Sequence, residues 1–271
     1  MCRLVGWVTD TPMTMREVLG SVAVERFIHL SHVHADGWGA GWHDGDGKLV
    51  ATRSADPART DARFAEFATT TASRAALVHL RLGTPGCGHG ELNNHPFTAD
   101  QWAFAHNGAF APGERMDLLL PDDALLRPAG QTDTERYFLA LLHHMERNGG
   151  SVSDAVDRVL ARMAETGLTA SSLNAILLGA TGLHVISSHD ADWQATDIQV
   201  WPADELASGV VLPPYFPMIH RDTGDAVVVA SSGIVSDLDG WSPIPNHAVL
   251  SVDTDTLRST VTRVPSAVSA T

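Results

Sequence analysis

The sequence predicts an α+β fold in which antiparallel sheets pack together and carry helices on an outer face. Three observations lead there. Apolar, β-prone runs occupy both ends of the chain. Two amphipathic helical stretches separate them, and the connections among the strand-like runs are of hairpin length. With 271 residues, 44% of them hydrophobic, the chain can build one layered unit, and residues 1–264 are read as a single domain without an internal repeat.

In chain order, residues 2–9 alternate well enough for a strand, and residues 15–29 place Val18, Leu19, Val22 and Phe27 at helical spacing. Residues 37–42, rich in glycine, run into Asp44-Gly45-Asp46-Gly47, and residues 48–53 return as a strand, which predicts a hairpin. Residues 60–68 suit a short helix and 75–82 a buried strand. A brief strand over 102–105 runs to Asn107-Gly108. Thr132 is a candidate N-cap with Glu135 three residues on, the capping-box pattern. The helix beyond it carries Phe138, Leu141, Leu142 and Met145 on one face. A second helix starts near Ser151, carries Val152, Val156, Val159, Leu160 and Met163, and stops at Gly167. Strands return at 173–178, 183–187, 226–230, 248–252 and 256–264. Residues 202–217 are proline-rich and read as a long surface loop; the Ser- and Ala-rich tail, 265–271, has too little to bury and reads as disordered.

Composition narrows the function. The formal charge is −14, and so acidic a surface repels phosphate backbones and anionic lipid; neither nucleic acid nor membrane is an expected partner. The start, Met-Cys-Arg-Leu-Val-Gly-Trp, lacks a basic n-region, and no run reaches the ~18 apolar residues a membrane span needs, so a cytoplasmic protein is expected. The cysteines, Cys2 and Cys87, are then free thiols rather than a disulfide. Fourteen histidines invite a metal, but His32 with His34 and His143 with His144 have no cysteine or carboxylate set at zinc spacing; neither a metal nor a cofactor is expected.

Four clusters carry chemistry. A cysteine at position 2 is small enough for methionine removal, which would put a free α-amine and a thiol on one residue; the amine, with an intrinsic pKa of about 7.7–8.0, can serve as the base. Arg81 follows an apolar strand and precedes a glycine-rich turn, where it could grip a carboxylate or simply meet solvent. Asn107-Gly108 is either a plain turn or an oxyanion hole. Asp133 opens the first strong helix, where an acid complements the dipole or points at a substrate ammonium. Cys87, with His89 nearby, is a rival nucleophile without a built-in base.

In that order, the Met-Cys start, His-x-Arg-x-x-Thr-x-Gly, His-Asn-Gly and Thr-Asp-Thr-Glu resemble the class II glutamine amidotransferase domain. Asp36-Gly37-Trp38-Gly39-x-Gly41 and Asn94-His95-Pro96-Phe97 look most like its stand-alone bacterial hydrolase branch, which includes the γ-glutamyl hydrolase of the ergothioneine pathway. The resemblance implies a four-layer αββα Ntn-hydrolase sandwich with two antiparallel sheets. It implies Cys2 as nucleophile and base, Asn107 and Gly108 as oxyanion hole, Arg81 with Thr84 on the glutamyl carboxylate, and Asp133 on the ammonium. His106 supports the Asn107 turn at the substrate, and Trp38 stands near the substrate wall, where larger relatives carry a different stretch. The reaction implied is hydrolysis of a γ-glutamyl amide, glutamine or a capped small molecule, through a Cys2 thioester. No acceptor module follows, so partners reduce to a homodimer or a separate ammonia-accepting enzyme. Two readings stay beside it: an N-terminal-cysteine amidase for non-glutamyl amides, and a non-catalytic γ-glutamyl-binding subunit.

Overall fold

The computed structural model describes residues 2–83, 88, 90–193, 199–208 and 212–266. From the start come β1 (Cys2–Met13), α1 (Met15–Leu19), α2 (Ser21–Leu30), β2 (Trp38–His43), β3 (Leu49–Ser54), α3 (Ala62–Thr70) and β4 (Ser73–Arg81). Then follow β5 (Phe97–Ala99), β6 (Trp102–Asn107), β7 (Phe110–Ala111), α4 (Asp133–Arg147) and α5 (Val152–Thr166). The remainder is β8 (Thr169–Ala170), β9 (Asn174–Leu178), β10 (Gly182–Ser187), α6 (Ala203–Ala207), β11 (Met218–Asp222), β12 (Ala226–Ser231), β13 (Ser242–Pro243), β14 (Ala248–Asp253) and β15 (Ser259–Arg263).

One sheet has the order β13-β11-β12-β1-β4-β2-β3 and the other β15-β14-β10-β9-β6-β5, and their strand pairs are antiparallel. Because successive side chains on a strand point to opposite faces, each central strand feeds two cores. Leu4, Val8 and Leu77 of the first sheet meet Ala105, Ile176 and Val185 of the second between the sheets. Val5, Trp7 and Val78 face outward into a core shared with α1, α2 and α3. Phe104, Leu177 and Val249 face outward against α4 and α5. The layers therefore run helix, sheet, sheet, helix: the αββα sandwich.

Where the elements depart from expectation, local causes are visible. The stretch 15–29 is two helices, because Gly20 stands at φ 80, outside helical geometry. Thr132 caps α4 as expected, accepting from the Glu135 N–H, but Glu135 completes no box. Its carboxylate instead accepts from the Ala129 and Gly130 N–H groups and ties down the preceding loop. Ser151 caps the start of α5 and Gly167, in the left-handed region, caps its end, as expected. The segment 202–217 is more than a surface loop. It contains α6, and Tyr215 and Phe216 are buried in the outer core. The final strand is shorter than expected, and β5, β7, β8, β11 and β13 lie outside the strands the sequence predicts. Of the tail, residues 267–271 lie outside the described residues. Among the described residues no helix is long and apolar enough to cross a membrane.

Candidate active site

Strand parity brings the key residues together. On β1, Cys2 shares the inner face of Leu4 and Val8; on β4, Arg81 shares that of Ala75 and Leu77; on β6, Asn107 shares that of Ala103 and Ala105. Cys2 pairs with Arg81 across β1 and β4. All three stand at strand ends, so they meet at one mouth of the sandwich. There the Cys2 backbone nitrogen donates to Asn107 Oδ1 at 2.7 Å. That bond orients the amide: Oδ1 is taken, and Nδ2 makes no hydrogen bond among the described residues.

The mouth opens into a cleft lined by Cys2, Arg81, Gly83, His95, Gly108 and Asp133, among others. Cys2 is only 5% exposed, with Sγ 4.0 Å from the Leu82 carbonyl. Arg81 is 3% exposed; its Nη2 donates to the Gly88 carbonyl at 3.0 Å, while Nη1 finds no partner among the described residues. A buried guanidinium nitrogen without an acceptor is costly unless something anionic completes it. Asp133, at the start of α4, accepts from the Phe110 N–H at 3.1 Å and the Thr134 N–H at 2.7 Å. It sits in the first turn of its helix, where an acid complements the dipole, and still borders the cleft, so the two readings of this acid are compatible.

Gly108 needs its missing Cβ for a reason other than ligand approach: a Cβ there would lie 2.0 Å from the Ser172 carbonyl oxygen. Packing of two chain segments demands the glycine. His106 faces outward beneath α4. The Ser172 carbonyl can only accept, so Nε2 carries the proton at 2.9 Å and Nδ1 takes the Thr134 hydroxyl at 3.0 Å. Both nitrogens are committed to protein, so although the ring borders the cleft, it has none to offer a ligand. Trp38 departs furthest from expectation. It pairs with Leu80, one residue short of Arg81, and so takes the opposite face. It is 1% exposed, packs on Phe64 and Phe67, and donates to Asp61 at 2.9 Å, away from the cleft. Thr84 and Cys87 lie outside the described residues.

Sequence reasoning missed three contributors. Asp36 reaches past its own turn to accept from the Gly83 N–H at 2.7 Å, holding the chain just after Arg81. Asn93 accepts from the Gln131 N–H at 2.9 Å and joins the cleft wall to the loop before α4. His95 lines the cleft and lies against His79, ring centroids 3.9 Å apart. The Asn94-His95-Pro96-Phe97 motif signalled this segment but not its partner.

The buried imidazoles have a measurable consequence. Burial pushes His34, His79, His95 and His106 below the ordinary imidazole value, and His184 to about 4. These rings are neutral when folded, whereas the unfolded chain protonates them near pH 6.5. Between that value and their folded values the unfolded state binds more protons, so stability falls as the pH drops. The urea midpoint is expected to be lower at pH 5 than at pH 7.5; equal midpoints would contradict neutral burial.

Comparison with known proteins follows the same lines. The profile of the class-II glutamine amidotransferases matches residues 1–197. The chain is 28% identical over 262 residues to the gamma-glutamyl-hercynylcysteine sulfoxide hydrolase of Mycolicibacterium smegmatis, covering 93% of this chain and 96% of that one. A Mycobacterium tuberculosis protein of the same name is 35% identical over 118 residues, 40% of this chain and 49% of the other. The glutamine aminotransferase class-II domain protein of Silicibacter pomeroyi superposes with a TM-score of 0.63 at 19% identity, over 97% of this chain and all (100%) of that one. The glutamine phosphoribosylpyrophosphate amidotransferase of B. subtilis gives 0.54 at 16% identity, over 96% of this chain and 49% of its own. At such identities these structures speak for the fold.

Proposed function

This chain belongs to the class-II glutamine amidotransferases, and from that premise we propose that it hydrolyses a γ-glutamyl amide through a thioester on Cys2. The observation that carries the reading is the 2.7 Å bond from the Cys2 nitrogen to Asn107 Oδ1, made beside a cleft with Arg81 and Asp133 on its walls. Once Met1 is removed, that nitrogen is an α-amine within reach of its own thiol. The amine takes the thiol proton, and Sγ attacks the side-chain carbonyl of the substrate. Asn107 Nδ2 and the Gly108 N–H hold the oxyanion, in the manner of preorganised donors aimed at developing charge. The protonated amine gives its proton to the leaving nitrogen, and the C–N bond breaks to leave the thioester. Water, deprotonated by the same amine, then attacks the acyl carbon; the C–S bond breaks and glutamate leaves.

Arg81 and Asp133 supply recognition. The Nη1 of Arg81, without a partner among the described residues, suits an α-carboxylate, with Thr84 as its neighbour in the sequence, and the Asp133 carboxylate suits an α-ammonium. A γ-glutamyl group carries both charges on one carbon. The match to a gamma-glutamyl-hercynylcysteine sulfoxide hydrolase over nearly its whole length supports a capped small molecule as substrate, beside glutamine itself. The reading takes residues 1–264 as one catalytic domain in the cytoplasm. It takes a second copy of this chain or a separate ammonia-accepting enzyme as the partner.

The test is glutamate release from glutamine and from a γ-glutamyl amide, against an N-acyl amide lacking the glutamyl group, with mass spectrometry after a diazo-ketone glutamine analogue. Adduct on Cys2 and preference for γ-glutamyl substrates are expected. Equal turnover of the acyl amide would sink the proposal. Arg81→Met is expected to lower kcat/KM about 10²-fold, chiefly through KM, because it deletes one side of a buried charge pair. For 4-aminobutanamide, which has no α-carboxylate, the variant and the wild type are expected to coincide.

A further inference from the structure

Behind Cys2, on the face away from the cleft, lies a buried cluster that the proposed chemistry does not use. Arg3 is fully buried (0% exposed), its guanidinium carbon 4.0 Å from the Tyr215 ring centre and 4.3 Å from that of Trp201. Arg3 Nη1 donates to the Tyr215 carbonyl at 3.2 Å, while Nε and Nη2 find no partner among the described residues. A cation buried this deeply is held chiefly by the two aromatic faces. The Tyr215 hydroxyl, 213 positions away in sequence, donates to the Cys2 carbonyl at 3.0 Å.

That carbonyl has no ladder partner on β4. Arg81 gives its N–H to Gly37 and its carbonyl to the Asp36 N–H, both on the far side of its strand. The Cys2–Arg81 pair is therefore of the non-hydrogen-bonded kind. Tyr215 stands where a further strand residue would otherwise donate. His34 backs the hydroxyl: Nδ1 donates to the Leu30 carbonyl at 2.9 Å, and Nε2 lies 3.1 Å from Tyr215 Oη. Since Leu30 can only accept, a neutral His34 presents Nε2 as an acceptor, and the single tyrosine proton is shared between it and Cys2.

We propose that Tyr215 is a positioning residue for Cys2, its hydroxyl holding the Cys2 carbonyl while Asn107 holds the Cys2 nitrogen, and that Arg3 is the rail that keeps the tyrosine ring in place. Once Met1 is removed, as the proposed function requires, no peptide bond anchors the nitrogen side of Cys2. Two hydrogen bonds at its two backbone ends set the direction of both the sulfur and the amine. This rests on the proposed use of Cys2 as nucleophile, and the test separates the two.

Tyr215→Phe keeps the ring and the stack on Arg3 and deletes the bond. It is expected to lower kcat roughly tenfold to a hundredfold, the cost of small misplacements of reacting groups, with KM for the γ-glutamyl substrate unchanged. A spectroscopic readout needs no turnover. In a Cys87→Ser background, 1-¹³C-cysteine labels the Cys2 carbonyl alone, since the chain has two cysteines. Its resonance is expected to move upfield in Tyr215→Phe as the hydrogen bond is lost. An unmoved resonance, or a wild-type kcat, overturns the proposal. Arg3→Lys keeps the charge but not the planar stack and is expected to fall between wild type and Tyr215→Phe on both readouts. If the phenylalanine variant does not fold, an Arg3→Lys protein unaltered in both overturns the proposal. A wild-type protein inert toward γ-glutamyl amides defeats the functional reading, while the carbonyl resonance still decides the role of Tyr215.

Discussion

Cys2→Ala is expected to abolish glutamate release, by about 10⁴-fold or more, while Cys87→Ser leaves it at the wild-type rate. The size of the effect follows from what is removed. With no thiol there is no acyl-enzyme, and the amine cannot stand in, because its task is to move protons for a neighbouring sulfur. Position makes the assignment specific: Cys2 lies on the inner face of β1 at the mouth of the cleft, with its nitrogen on Asn107. Cys2→Ser is the sharper control, since it keeps the shape and the nitrogen and exchanges only the nucleophilic atom. Glutamate measured by a coupled dehydrogenase assay decides the matter. Activity that survives in the Cys2 variants and disappears in Cys87→Ser would transfer the role to the other thiol.

Asn107→Ala is expected to lower kcat by about 10²–10³-fold, the usual loss for one oxyanion donor. Here the residue has two tasks, since its Oδ1 also receives the Cys2 nitrogen. Asn107→Asp separates them: a carboxylate still accepts from that nitrogen but donates nothing and sets a negative charge where the oxyanion forms. A kcat as low as that of Asn107→Ala, with alkylation of Cys2 by iodoacetamide near wild type, is the expected pattern. If Asn107→Asp retains activity, Nδ2 is not an oxyanion donor. Gly108→Ala makes a poor companion experiment, because its Cβ would collide with the Ser172 carbonyl and lower the melting temperature before any catalytic effect could be read.

Much of the fold follows from short-range regularities. The hairpin of β2 and β3, the Ser151 and Gly167 boundaries of α5 and the inward parity of Arg81 and Asn107 all come from patterns a few residues long. Where a single residue has two local uses, the same patterns run out. Gly20 divides a helix whose apolar spacing is continuous, and Glu135 leaves its capping box for the N–H groups of a loop. The motifs at Cys2, Arg81, Asn107 and Asp133 were visible because each joins an unusual residue to a strand end or helix start.

What the linear chain determines here is the face each side chain takes within its own element, since strand and helix periods are properties of the backbone. Which faces meet is a different matter. Trp38 and Arg81 sit on neighbouring strands, and only the register, which pairs Trp38 with Leu80, sends one to the outer core and the other to the cleft. Cys2 meets Asn107 across 105 positions and Tyr215 across 213. No local pattern encodes such contacts, because they exist only once two sheets and a returning segment have buried their apolar sides against one another.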